Sequence, residues 1–189
     1  MGKPLLLIVN GLPGTGKTTL AKRLAQDLRL PIFSRDGIYE TLFDALDCEA
    51  NGLPPLLGVA SFRLLYYAVG SVLAAGQSLI IEGFFGRPDL RTAEFVDLQR
   101  GHDFEPFQIL CKADGAVLLE RFLARAGSGG RHAGHPDLDW LEQNKERLLR
   151  GQLAPLALGG QLIEIDTTTP DSFDYDALLR HVRSALDAR

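Results

Sequence analysis

The sequence predicts a doubly wound α/β fold built on a five-stranded parallel sheet, and three observations support this prediction. Five short apolar runs are uninterrupted rather than alternating, which is typical of strands buried on both faces. Helical patterns separate these runs, and alternation of strands with helices indicates a parallel sheet. The first run leads directly into a glycine-rich loop that opens a helix, an order typical of strand-to-helix turns in such folds.

Composition and charge narrow the class of protein. The chain has 189 residues, so we expect one domain over 1–189 with a sizeable core. Its net charge of -4 gives no global attraction to nucleic acid. Cys48 and Cys111 form no CxxC pair, which disfavours metal clusters and disulfide scaffolds. No targeting segment and no apolar window of about 20 residues is evident, so we expect a cytoplasmic protein without a membrane partner.

The elements follow one another in a regular order. The predicted strands are 4–10, 31–36, 78–84, 106–114 and 161–167. Predicted helices follow Thr18, where leucines recur every four residues, and then cover 37–46, 62–75, 117–126, 138–150 and 175–186. Two segments interrupt the alternation: 44–61 is too rich in Pro and Gly for regular structure, and 127–137 is a Gly/His loop. We therefore predict a substrate cap over 37–75 and a lid loop over 124–137.

The stretch GLPGTGKT, Gly11 to Thr18, fits the pattern G-x-x-x-x-G-K-[ST] without a mismatch. Glycines allow successive backbone N–H groups to turn inward as an anion-binding nest, and the following helix adds its positive N-terminal end. A plain glycine-rich turn is the alternative, but the strand before and the helix after favour phosphate binding. Lys17 would reach the β- and γ-phosphates, and the Thr18 hydroxyl would bind Mg²⁺. The predicted nucleotide-binding residues here are Gly11, Pro13, Gly14, Thr15, Gly16, Lys17, Thr18 and Thr19.

Acidic residues follow the second and third predicted strands. Asp36, in the stretch SRD, lies where a carboxylate can accept the proton of an attacking hydroxyl, although it could instead cap the next helix. Glu82, in LIIEGFF, stands where a second nucleotide-binding acid would support the metal. Phe84, Phe85 and Arg87 follow and are predicted to line the acceptor pocket, although Phe84 and Phe85 could equally belong to the core. Arg63, the one cation in 37–75, is the remaining predicted substrate-binding residue.

Arginines mark the region before and within the predicted lid. Arg121 and Arg125 lie one helical turn apart, and guanidinium groups there can stack on adenine and hold a transferring phosphoryl group. A solvated helix face is the alternative. Arg131 lies in the lid loop, where glycines permit closure, and it is the third arginine predicted to bind the nucleotide. His132 and His135 lack further ligands nearby, so we interpret them as loop polar contacts rather than as a metal site.

The order GLPGTGKTT, SRD, LIIEGFF, KADGAVLLERFLAR, RHAGHPD and IEIDTTTPD resembles the small AAA-type predicted kinases of the P-loop group. Relatives of that family include chloramphenicol phosphotransferase, gluconate kinase and polynucleotide 5′-kinase. The resemblance implies a nucleoside/shikimate-kinase-like three-layer sandwich with strand order 2-3-1-4-5 and a lid. It also implies Asp36 as general base, Arg121 over adenine, Arg125 over the phosphates, and Thr167 in the loop that closes the adenine site.

The expected function is an ATP- and Mg²⁺-dependent kinase that phosphorylates a hydroxyl of a small metabolite or antibiotic-like molecule, with Lys17, Asp36 and Arg125 as catalytic residues. Two alternatives stay open: a polynucleotide 5′-hydroxyl kinase and a non-catalytic ATP-binding regulatory module. Glu82 departs from the commoner Asp of the family. Gluconate is disfavoured, because 37–46 lacks the Asp/His stretch of gluconate kinases, and a polynucleotide is disfavoured because 37–75 carries only Arg63 as a cation.

Overall fold

The computed structural model describes residues 2–86 and 88–188, and the side chains of 88–93 are outside that description. The elements in chain order are β1 (Leu5–Gly11), α1 (Lys17–Leu28), β2 (Ile32–Ser34), α2 (Arg35–Ala45), α3 (Cys48–Asn51), α4 (Leu57–Ala74), β3 (Leu79–Gly83), α5 (Pro88–Gly101), β4 (Glu105–Lys112), α6 (Gly115–Ala126), α7 (Asp137–Leu149), β5 (Gln161–Asp166) and α8 (Tyr175–Asp187).

The five strands form one parallel sheet in the order β2-β3-β1-β4-β5, which confirms the predicted fold class and strand order. The register pairs Val9 with Glu82 across β1 and β3, and Ser34 with Glu82 across β2 and β3. The carboxyl ends of these three strands therefore meet at one edge of the sheet, where ligands bind in open α/β folds.

The sheet separates two apolar layers, because alternate residues of β1 point to opposite faces. On one face Leu5, Leu7 and Val9 pack with buried residues of α1 and α8. On the other face Leu6 and Ile8 pack with buried residues of α4 and α5. Every residue of β1 is buried, as expected for the central strand of a sheet covered on both sides.

Three features of the fold differ from the prediction. The segment 44–61 is not wholly irregular, because it contains α3 and the first turn of α4, which begins just after Pro54 and Pro55. Prolines at the start of a helix are tolerated, since the first N–H groups have no partner within the helix. The helix α5 was not predicted at all. The second strand ends at Ser34 rather than at residue 36, so Asp36 lies in α2.

The helix α4 is long and apolar. It has 18 residues with a mean hydropathy of 1.5, so by length and composition alone it could cross a membrane. Its side chains Phe62, Leu65 and Val69 are buried in the layer between the sheet and α5. One face of α4 therefore packs into the core, and 39% of the helix is buried.

Candidate active site

The glycine loop is shaped by its backbone. Gly14 and Gly16 have φ values of +89° and +72°, a region that side-chain-bearing residues rarely adopt. Gly11 is required for space, because a Cβ there would lie 2.7 Å from the carbonyl oxygen of Cys111. The hydroxyl of Thr15, which is fully buried, donates to the carbonyl of Leu12 at 2.8 Å. The glycines therefore allow a tight loop whose backbone packs against Cys111 and is closed by an internal hydrogen bond.

The helix α1 begins at Lys17 without a side-chain hydrogen bond at its N-cap, Gly16. Its first N–H groups therefore remain available to an anion held by the loop. The residue before the loop also has a defined role. Its side-chain oxygen, Asn10 Oδ1, accepts hydrogen bonds from the backbone N–H groups of Gly11 and Phe85, at 2.8 and 3.0 Å. This buried amide joins the start of the loop to the segment that follows β3.

Glu82 links three elements at the edge of the sheet. Its carboxylate accepts from the Thr18 hydroxyl and from the Ser34 hydroxyl, each at 2.8 Å. Lys17 Nζ lies 3.9 Å from the same carboxylate, and the Glu82 side chain is 1% exposed.

These oxygens fit the metal that the family implies. Mg²⁺ prefers hard oxygen ligands and is usually held through one or two carboxylates together with substrate phosphates. The Thr18 hydroxyl and the Glu82 carboxylate lie together beside the loop, with Lys17 at their edge. The predicted metal residues therefore share one small oxygen cluster.

Asp36 faces the same edge from α2. Ser34, not Asp36, is the N-cap of this helix, because its hydroxyl accepts from the Gly37 N–H at 3.2 Å. The capping alternative for Asp36 was therefore wrong, and its carboxylate instead accepts from Arg35 Nη1 at 3.1 Å. Burial alone would raise the pKa of Asp36, but the charges of Lys17 and Arg35 together outweigh it and lower that pKa below its ordinary value. Asp36 is thus ionised at neutral pH.

A cavity of about 440 Å³ opens beside Asp36. We call it the Asp36 cavity; its walls come from the glycine loop, α2, α4 and the segment before it, the segment after β3, α6, and α7 with the loop before it. Its lining includes Pro13, Lys17, Arg35, Asp36, Tyr39, Pro54, Pro55, Phe62, Phe84, Phe122, Arg125, Arg131, His135, Asp137 and Trp140.

A second cavity, of about 350 Å³, lies on the other side of the glycine loop. We call it the Arg121 cavity; its lining includes Gly14, Thr15, Gly16, Thr19, Arg23, Arg121, Thr167, Thr169, Pro170 and Tyr175. The Arg121 guanidinium donates to the carbonyls of Gly14, Thr167 and Thr168 at 3.3, 3.0 and 2.9 Å. It therefore ties the glycine loop to the segment after β5.

Arg125 and Arg131 lie in the Asp36 cavity rather than in the Arg121 cavity. Arg131 makes two hydrogen bonds to the Asp137 carboxylate, at 2.9 and 3.0 Å. Arg125 Nε lies 3.6 Å from the same carboxylate, and its guanidinium lies over the Phe122 ring at 5.0 Å. Burial, followed by the charge of Arg131, lowers the pKa of Arg125 from its ordinary value. Asp137 therefore holds both arginines at the N-terminus of α7.

The two lid histidines contact α2. His132 Nε2 lies 3.0 Å from the Asp44 carboxylate, and His135 Nε2 lies 2.7 Å from that of Glu40. Burial, and then the charge of Arg131, lowers the pKa of His135 despite the nearby carboxylates. Across the part of the chain that the structure describes, no cluster of three or more His, Cys, Asp or Glu could hold a metal ion. The histidines thus hold the segment before α7 against α2.

The aromatic residues after β3 separate into two roles. Phe85 is 1% exposed and belongs to the core beside α4 and α5. Phe84 instead lines the Asp36 cavity, with its ring 5.9 Å from that of Trp140 in an edge-to-face arrangement. Arg63 is exposed on α4 and is not among the residues that line either cavity. Arg87 lies outside the described residues.

Several cavity residues were not singled out from the sequence. Ser34 and Arg35 belong to the quoted SRD stretch, so their position beside Asp36 was a usable signal. Asp137 also lay within a quoted stretch, but its role depends on the approach of two arginines. Trp140 is the chain's one tryptophan, and a lone tryptophan next to the predicted lid loop could have been noticed.

Comparison with known proteins agrees with this architecture. An uncharacterized protein of Mycobacterium tuberculosis (strain ATCC 25618 / H37Rv) is 30% identical over 132 residues, which cover 65% of this chain and 26% of that protein. An uncharacterized protein of Mycobacterium bovis gives the same values. The match thus spans about a quarter of the length of these curated relatives.

Solved structures share the fold over nearly the whole chain. A candidate kinase from Chloroflexus aurantiacus j-10-fl is 39% identical with a TM-score of 0.84, and the match covers 100% of this chain and 98% of that one. A sugar kinase from Janibacter sp. HTCC2649 is 19% identical with a TM-score of 0.61, covering 98% and 95%. A gluconokinase from Sinorhizobium meliloti 1021 is 15% identical with a TM-score of 0.56, covering 98% and 93%. The last two similarities show the fold alone.

The AAA domain family model matches residues 6–148, which run from β1 into α7. The matched segment contains the glycine loop, the Glu82 cluster, Asp36 and the two arginines of α6. The chain therefore belongs to the AAA domain family.

Proposed function

We propose that this protein is a kinase that transfers the γ-phosphoryl group of ATP to a hydroxyl of a small molecule. The observation that carries the proposal is the position of the glycine loop between two cavities. Gly14 and Gly16 line the Arg121 cavity, whereas Pro13 and Lys17 line the Asp36 cavity. A nucleotide seated on the first side would extend its phosphates along the loop toward Asp36.

The nucleotide would bind through residues already arranged around an anion. The uncapped N-terminus of α1 and the backbone of the loop would hold the phosphates, and Arg121 and Thr167 would border the base. Bound Mg²⁺, held through Thr18 and Glu82, would neutralise charge on the phosphates. Lys17 and Arg125, both lining the Asp36 cavity, would stabilise the negative charge that develops on the transferring group.

Asp36 would act as the general base. Its lowered pKa keeps it ionised, so it can accept the proton of the acceptor hydroxyl as that oxygen attacks phosphorus. A carboxylate of this kind is a weak base, which suits a loose transition state in which the proton leaves late. Arg35, at 3.1 Å, fixes the orientation of the carboxylate.

The segments 37–75 and 124–137 would serve as acceptor cap and lid. Closure of the lid on the cap is supported by the two histidine contacts to α2. It is also supported by the packing at Gly134, where a Cβ would lie 2.9 Å from the Phe43 ring and 3.1 Å from that of Tyr39. A lid seated in this way would exclude water from the phosphoryl group.

A screen with labelled ATP against pooled hydroxyl compounds tests the proposal. Once an acceptor is found, Lys17→Ala should abolish transfer, and Asp36→Asn should keep ATP affinity while turnover falls by about 10²- to 10⁴-fold. Lys22→Ala, on the exposed face of α1, is the matched control and should behave as wild type. Undiminished turnover of Asp36→Asn would refute its role as the base, and absence of any ATP binding would refute the proposal itself.

A further inference from the structure

We propose that the acceptor is an uncharged hydroxyl compound with a flat, apolar, ring-bearing body. This inference rests on the proposed function, because it takes the Asp36 cavity as the acceptor site. It follows from how the charges in that cavity are matched and from the chemistry of its walls.

Among the side chains that the structure describes, each arginine of the cavity that the nucleotide would not use is paired with a carboxylate. Arg35 is paired with Asp36 at 3.1 Å, and Arg131 makes two hydrogen bonds to Asp137. The Arg35 Nε has no hydrogen-bond partner, but this atom is buried. The other lining residues with permanent positive charge are Lys17 and Arg125, and both are assigned to the nucleotide's phosphates. An acceptor with a carboxylate or phosphate would therefore lose its hydration and have to compete with Asp36 or Asp137 for an arginine.

The position of Asp36 also disfavours an anionic acceptor, through electrostatic repulsion. The reacting hydroxyl must approach the Asp36 carboxylate, which is ionised at neutral pH, so an acidic group on a small acceptor would lie close to a like charge. The nucleotide's own phosphates would add further negative charge on the same side. A neutral acceptor meets neither cost, and its hydroxyl can donate directly to the carboxylate.

The walls favour a flat apolar body. On one side Trp140 stacks on Phe122 with ring centroids 5.3 Å apart and meets Phe84 edge-on at 5.9 Å. On the other side the Arg35 guanidinium lies 4.9 Å from the ring centroids of both Tyr39 and Phe62. Aromatic rings gain from stacking and edge contacts beyond the area they bury, so a ring-bearing acceptor fits between these walls better than a polyhydroxylated chain.

The fluorescence of Trp140 provides a readout that needs neither ATP nor transfer, because it is the chain's one tryptophan and lines the cavity. Four probes separate charge from shape: 1-phenyl-1,2-ethanediol and mandelate are matched aromatic compounds, and glucose and gluconate are matched polyhydroxylated ones. We expect a saturable change at millimolar concentrations with 1-phenyl-1,2-ethanediol, and binding at least about tenfold weaker for the other three. Equal or tighter binding of mandelate or gluconate would overturn the inference, and so would the absence of saturable binding by 1-phenyl-1,2-ethanediol.

A change of one charge should reduce the preference for the uncharged aromatic probe. In Asp36→Asn the Arg35 guanidinium loses its partner, so mandelate should bind about tenfold more tightly than it does to wild type, while the affinity for the diol stays within about twofold. Asp97→Asn makes the same change of net charge on an exposed pair with Arg100, and should leave all four probes unaffected. A mandelate affinity that does not respond to Asp36→Asn would contradict the charge-matching argument.

The two proposals fail in different ways. If 1-phenyl-1,2-ethanediol binds as expected but no hydroxyl compound is phosphorylated, the kinase reaction is refuted and the character of the cavity remains. If a carboxylated or phosphorylated acceptor is phosphorylated efficiently, or an oligonucleotide is, the reaction stands and this inference is refuted.

Discussion

Replacing Glu82 with Gln should destabilise the empty protein substantially. The carboxylate is 1% exposed and lies 3.9 Å from Lys17 Nζ, which is itself 8% exposed. It also accepts from the hydroxyls of Thr18 and Ser34. Gln keeps the size and one acceptor oxygen, so the change removes the charge and one of the two acceptors with little loss of packing.

The size of the effect can be worked from these contacts. At an effective dielectric constant of about 20, two unit charges 3.9 Å apart attract by about 4 kcal/mol. Breaking a buried pair by removing one partner costs about 3–5 kcal/mol in measured cases. Lys17 borders an open cavity, so water can reach its ammonium group, and we expect about 3 kcal/mol for Glu82→Gln. This corresponds to a decrease in Tm of about 6–12 °C for a chain of this size.

Urea and thermal unfolding followed by circular dichroism measure this directly. Glu164→Gln is the matched control, since it removes the same charge from an exposed pair with Lys112 at 3.1 Å, and it should change the free energy of unfolding by less than about 1 kcal/mol. Equal stability of Glu82→Gln and wild type, or greater stability of the variant, would refute the reasoning. That result would mean that the cost of burying the carboxylate cancels or exceeds its attraction to Lys17.

Three further predictions concern other parts of the fold. Gly115→Ala should lower the free energy of unfolding in urea by about 3 kcal/mol, because a Cβ there would overlap the backbone carbonyl at the end of α7. The control, Gly127→Ala, has room for a Cβ and should be nearly neutral. Equal effects of the two substitutions would contradict this. Because the pKa of Asp36 is lowered in the folded protein, its carboxylate adds stability above pH 3.8, and this added stability is lost as the pH falls through the pKa of the folded state. The difference in unfolding free energy between wild type and Asp36→Asn should therefore shrink toward zero in acid. A difference that does not change with pH would contradict this. Cys48 and Cys111 are buried, and burial raises the pKa of Cys111 to about 12, so neither thiol should react with a thiol reagent before unfolding; rapid labelling of the native protein would disprove this.

Local sequence was sufficient for the glycine loop and for most of the sheet. The loop is contiguous from Gly11 to Thr18, and its glycines serve backbone positions that local rules describe. Uninterrupted apolar runs located β1, β3 and β4, because a strand covered on both faces needs apolar residues at nearly every position. The edge strands β2 and β5 were also located, but the expectation that they are buried on both faces was wrong, since β2 is half-buried and β5 is largely exposed. The helix α5 escaped prediction since its apolar residues Phe95, Val96 and Leu98 are gathered near one end rather than spread along a face.

The start of α4 was misread for a different reason. The Pro- and Gly-rich composition of NGLPPLLG predicted a segment without a helix. Pro54 and Pro55 in fact lie just before α4, where a proline's missing N–H breaks no helical hydrogen bond. Arg121 and Arg125 show the converse limit. Helical spacing placed them on one face, but Arg121 donates to the carbonyls of Gly14, Thr167 and Thr168, whereas Arg125 lies beside Asp137. Each therefore lines a different cavity.

The sequence by itself determined the strands, the phosphate-binding loop and the residues Asp36 and Glu82 as candidates, because each depends on neighbours a few positions away. Only the tertiary structure decided what those residues touch. Glu82 joins Thr18 and Ser34 across 64 and 48 positions, and the aromatic walls come from α2, α4, α6, α7 and the segment after β3. Such contacts depend on sheet register and helix packing, which no local pattern of residues encodes.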